Sequence, residues 1–131
     1  MALLSYTVYK LMHIFGAFLI VAVYAALGLW AMNERPLEEN KYEKLGLAAH
    51  GIGLLLVVLA GFGMLASLYP EDSLMSFGWV HVKLTLWLML GGGITLLRKK
   101  PEHASTILLA ALLVTTLAAA IGVNHYSWFG N

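Results

Sequence analysis

Four long apolar runs, separated by short polar stretches, account for almost the whole chain. They cover about 6–32, 42–68, 77–98 and 103–125, and a helix needs roughly 20 mostly apolar residues to cross a bilayer. Apolar and polar residues do not alternate within them as barrel strands would, so the backbone bonds that lipid cannot satisfy must close within helices. Asn33-Glu34-Arg35-Pro36 and Lys99-Lys100-Pro101 end the first and third runs with charge and a proline, which cannot continue a helix. Short connections force neighbouring helices to run antiparallel. The pattern predicts an all-α fold: an integral-membrane four-helix up-down bundle. The first run is too long and uninterrupted for a signal peptide and lacks a basic start and a small-residue cleavage site, so it reads as the first helix.

Composition agrees with this reading. Of 131 residues, 60% are apolar and only 11% charged, too few charges for the surface of a soluble domain. Few residues remain outside the runs, so residues 1–131 read as a single transmembrane domain. The net charge of +1 argues against a nucleic-acid partner. The absence of cysteine excludes disulfides, thiolate ligands, iron–sulfur clusters and covalently attached haem.

The placement of charge is more informative than its sum. Arg35, Lys41 and Lys44 lie in or beside the first loop, and Arg98, Lys99 and Lys100 at the third. The second loop, Tyr69-Pro70-Glu71-Asp72-Ser73, has no cation. The positive-inside rule then puts loops one and three in the cytoplasm and both termini outside, as expected for a bacterial inner membrane. Tyr6, Tyr9, Tyr69, Phe77, Trp79, Tyr126, Trp128 and Phe129 crowd the outer side as an interfacial belt. Each half of the chain opens with aromatics and a histidine and exits through cations and a proline. A tandem repeat of two helical hairpins is one reading of this; features common to all small membrane bundles are the other. Glycines inside the runs, among them Gly16, Gly53, Gly61 and Gly91-Gly92-Gly93, allow close helix approach.

Five histidines carry the candidate chemistry. His13 and His81 begin the first and third runs, so both lie at similar depth on the outer side, with His125 near the C-terminus. His50 and His103 fall on the inner side. Ionisable groups inside a bilayer are costly and commonly functional. Two imidazoles facing across a haem need more room than adjacent helices offer at roughly 8–10 Å, and diagonal helices at about 11–14 Å supply it. His13 and His81 on diagonal helices are therefore the first candidate haem ligands, and His50 with His103 a second, inner site. Each histidine taken alone is more often a helix-contacting or interfacial residue. Lys10 lies one turn from His13, and Lys83 about a turn and a half into its run, with no acidic partner in any helix core. Both are candidates to meet haem propionates; snorkelling to the interface is the plainer account.

These motifs resemble the HemJ-type protoporphyrinogen oxidases and the related SirB and CopD-domain membrane proteins. Tyr9-Lys10-Leu11-Met12-His13-Ile14 is similar to that group's Lys-x-x-His opening. Gly78-Trp79-Val80-His81-Val82-Lys83-Leu84 resembles its Gly-Trp-Leu-His-x-Lys-Leu motif, and Ser105-Thr106-Ile107-Leu108-Leu109 its last-helix start. The resemblance covers most of the chain and implies haem b with His13 and His81 as ligands. It fails where the catalytic apparatus is expected: Gly28 stands in the region of an arginine, Gly93-Ile94 in place of a Tyr-His pair, and His50-Gly51 in place of Pro-Gly.

Three functions follow as expectations. The first is a haem-b-binding membrane protein in electron transfer or serving as a redox subunit of a larger complex. The second is a protoporphyrinogen oxidase. The third is a cofactor-free structural or assembly subunit. Expected partners are membrane lipid and other membrane subunits or further copies of the chain.

Overall fold

The computed structural model describes residues 3–130. Helix α1 is Tyr6–Met32, α2 Glu43–Leu68, α3 Gly78–Lys99 and α4 Ala104–Phe129, with single 3-10 turns at Leu37–Glu39, Leu74–Ser76 and Pro101–His103. No strand occurs among the described residues. All four helices are long and apolar enough to cross a membrane. The chain is thus an all-α four-helix bundle built of membrane-spanning helices.

Local chemistry sets the helix ends. Ser5 caps α1, its Oγ accepting the Val8 N–H at 3.3 Å. After α1, Glu34 takes the left-handed conformation at φ 60, which turns the chain toward Pro36, whose carbonyl accepts from the Trp30 indole at 2.9 Å. Helix α4 runs to Phe129, one turn beyond the apolar run, because His125-Tyr126-Ser127-Trp128 suit a helix in the interfacial region. Gly130 stops it at φ 78, a conformation that favours glycine.

Helix α1 is the hub. It packs most closely on α2 and also on α4, and α3 packs on α4, whereas α1–α3 and α2–α3 touch little. Helix α1 thus reaches α3 about as much as α2 does, through Tyr24 at Leu90 and Gly93. The α1–α2 crossing rests on Gly16 and Gly53: a Cβ on Gly16 would lie 2.8 Å from the Gly53 carbonyl oxygen, and one on Gly53 would lie 2.9 Å from that of Gly16. Only hydrogen fits on either side.

The buried apolar residues fall into two groups. One, at the end of the bundle that carries loops one and three, includes Ile20, Tyr24, Leu27, Leu97 and Ile107. The other, at the end that carries loop two, includes Leu65, Phe77, Trp79, Leu86 and Ile121. Large apolar side chains cover the outside, with Phe18 68%, Leu45 67% and Val123 81% exposed. So much exposed hydrocarbon would not be stable in water and fits a lipid surround.

Candidate functional site

His13 is half-buried against α2, and it is the absence of a side chain at Gly61 that makes room for it. A Cβ there would lie 3.4 Å from both Cε1 and Nδ1 of the ring. The ring Nδ1 is 2.7 Å from the Val57 carbonyl oxygen. A carbonyl can only accept, so Nδ1 carries the hydrogen and donates it. Nε2 then holds a lone pair. A backbone carbonyl orienting the far nitrogen of an imidazole is how metal-binding histidines are commonly held.

Lys83 of α3 turns into the bundle and lies within electrostatic reach of His13. Its Nζ is 2.9 Å from where a Cβ on Gly122 would stand, so it occupies space left open by α4. Among the described residues the one ion pair joins Arg98 and Glu43 and does not involve Lys83. His81 precedes Lys83 by two residues, which is about 200° around a helix. The two side chains therefore leave α3 on nearly opposite faces. His81 is exposed, and its Nε2 donates to the Met75 carbonyl at 2.7 Å. Thus Lys83 comes within electrostatic reach of His13, and His81 turns toward the preceding loop. Lys10 is exposed, with Nζ 5.9 Å from the centre of the Tyr6 ring.

His50 and His103, toward the end that carries loops one and three, separate in the same way. His50 is 5% exposed. His103 is exposed and ends the turn before α4. His50 Nε2 donates to the Leu90 carbonyl at 3.1 Å. The Tyr24 hydroxyl donates to that same oxygen. Its ring meets His50 edge-on at 5.6 Å. One carbonyl of α3 thereby joins α1, α2 and α3. The Tyr24 hydroxyl also fills the space a side chain at Gly93 would need.

Other polar contacts complete the interior. The Trp87 indole donates to the Leu54 carbonyl at 2.9 Å. Arg98 Nε lies 2.9 Å from Glu43 Oε1, without hydrogen-bond alignment, since that buried oxygen has no hydrogen-bond donor. With His50–Leu90, these contacts link α2 to α3, where helix packing is loose. His125 donates through Nδ1 to the Gly122 carbonyl at 2.8 Å and stacks on Trp79 at 4.4 Å. Tyr24 and Trp87 were not among the residues singled out in the sequence. The one signal for Tyr24 was the glycine run in α3 that accommodates it.

No group of three or more His, Cys, Asp or Glu assembles among the described residues, so these side chains alone do not make a zinc- or copper-type centre. A haem needs fewer protein ligands. For haem the fit is partial: one half-buried imidazole in the right tautomer and one nearby cation, with the space beside Gly61 and Gly122 already filled by the His13 ring and the Lys83 ammonium. Comparison of the chain with protein-family models, characterised proteins and solved structures gives no match.

Proposed function

We propose that the chain is a haem-b-binding integral membrane protein, acting in electron transfer or as a redox subunit of a larger membrane assembly. The observation that carries this reading is the His13 imidazole, fixed through Nδ1 on Val57 with Nε2 uncommitted. Bound haem supplies one-electron redox chemistry at its iron. The protein's part is to hold and orient: His13 as axial ligand, Lys83 as a cation for a propionate. His81 is the second candidate ligand, and requires its ring to leave the Met75 carbonyl and turn inward, which frees Nε2. The His50 and His103 placements give less support to an inner haem. The likeness to HemJ, SirB and CopD-type proteins supports the haem and leaves protoporphyrinogen oxidation without its expected side chains. We place loops one and three in the cytoplasm of a bacterial inner membrane, on the strength of their cations.

A cofactor-free subunit is the second reading. It is favoured by the engagement of His13, His50, His81 and His125 with backbone carbonyls, each already acting in helix contact or capping. Absorption spectra of the protein purified from membranes and then supplied with haemin separate the two. A Soret band with sharp reduced α and β bands that His13→Ala abolishes or shifts is the expected result. Protein that stays colourless, or an unchanged spectrum in His13→Ala and His81→Ala alike, sinks the haem assignment.

A further inference from the structure

A groove of about 310 Å³ runs between α1 and α2 on the lipid-facing side, toward the end of the bundle that carries loop one. It is lined by Ala22 and Ala26 of α1, Gly46 and Ala49 of α2, Leu19 and Leu45, and the buried Val23 and Leu27. The small side chains leave room along it, and the lining is hydrocarbon. At the mouth the chemistry changes. Asn40 and Tyr42 line the groove there, and the Lys41 ammonium sits 5.0 Å from the centre of the Tyr42 ring. The Asn40 Oδ1 already accepts the Tyr42 N–H at 2.9 Å, so its amide NH₂ remains to donate. Hydrogen-bond donors and one positive charge gather at this end. The nearby carboxylates of Glu34 and Glu38 line a separate cavity between loops one and three, and the exposed Glu39, next to Asn40, lines neither.

We propose that this groove binds an anionic phospholipid, one acyl chain lying along Ala22, Ala26 and Gly46, and the phosphate meeting Lys41, Asn40 and Tyr42. An apolar slot continuous with a donor-rich, cationic mouth at the membrane surface matches that amphiphile along its length. A helix from a second copy would fill the slot and leave these donors unmatched. The site is independent of haem.

Native mass spectrometry of the full chain released from detergent micelles, with dioleoyl phosphatidylglycerol or dioleoyl phosphatidylcholine added, tests this. One phosphatidylglycerol should be retained in preference to phosphatidylcholine. Lys41→Gln should reduce that retention about fivefold and leave phosphatidylcholine unaffected, as expected for one surface cation near an anionic headgroup. Ala22 and Ala26 are exposed, so leucine at both fills the groove without repacking the core. That double variant should lose the bound lipid, and Ala119→Leu, on an exposed face of α4, should keep it. Equal retention of the two lipids, or full retention in the double variant, overturns the proposal. So does a dimer that the double variant breaks, which would assign the groove to a second copy.

Discussion

The Tyr24 hydroxyl occupies the space beside Gly93 that any side chain at that position would claim. The phenol reaches there because it donates to the Leu90 carbonyl, one turn earlier on α3. Neither residue can change freely. Gly93→Ala should destabilise the bundle by about 1–3 kcal/mol, the usual cost of overfilling a packed site. In a Tyr24→Phe background the added methyl no longer meets a hydroxyl, and its cost should shrink. Unfolding of the four proteins in detergent checks this through the double-mutant coupling. Additive effects would show that the two positions do not compete for space.

Glycines in this chain differ in kind, and alanine should reveal it. At Gly16 a Cβ meets the backbone of α2, which cannot swing aside as a flexible side chain can. At Gly92 a Cβ meets nothing within 4 Å. Gly16→Ala should therefore lower the melting temperature, while Gly92→Ala should leave it level or raise it, since alanine favours a helix by about 1 kcal/mol over glycine. Comparable losses at both sites would contradict the close crossing of α1 and α2.

Glu43 and Arg98 are unequal partners. The carboxylate side chain is 11% exposed and the guanidinium side chain 42%. Arg98→Ala strands a buried charge, while Glu43→Gln leaves an arginine able to turn toward water or headgroups. Arg98→Ala should be the more damaging, by about 1–3 kcal/mol, and adding Glu43→Gln to it should restore part of the loss. Thermal unfolding of the single and double variants decides the matter; no rescue would mean the contact contributes little.

The four helices were legible because each apolar run exceeds the membrane thickness and charged, proline-bearing stretches interrupt the runs. Depth was legible too, since counting from the loops places His13 near one face and His50 near the other. Direction around each helix was not. Runs that are apolar on every side give no preferred inward face, so nothing in α1 marked His13 as turned toward Gly61. One directional clue was present: His81 and Lys83 stand two residues apart, and a helix sends such neighbours to nearly opposite sides. Tyr24 was hidden for a different reason. Its partner is a backbone carbonyl, and carbonyls leave no mark in a sequence.

The orientation across the membrane is open to a direct measurement. The chain has no cysteine, so single-cysteine variants report one site each. Ser73 in loop two and Glu38 in loop one are both exposed. The cations of loops one and three should retain those loops in the cytoplasm. Ser73→Cys should then react with an impermeant maleimide in intact cells, and Glu38→Cys only after the cells are opened. The reverse pattern would invert the bundle.

Lys83 offers a test of the haem reading through potential rather than through activity. Ferric haem carries one more positive charge than ferrous haem, so a nearby cation disfavours the ferric state and raises the midpoint potential. Lys83 sits inside the bundle, within electrostatic reach of His13, where screening by water and salt is weak. Lys44 is exposed at the start of α2, at the opposite end of the bundle from His13. With haem bound at His13, Lys83→Gln should lower the midpoint potential in a redox titration, and Lys44→Gln should leave it nearly unchanged. Removal of Lys83 should also weaken retention of haem if a propionate meets it. Retained haem with an unaltered potential in Lys83→Gln would mean that the ammonium does not face the cofactor. Lys83 would then be better understood as a lysine that settles into the space beside Gly122 and directs its charge toward the outer surface.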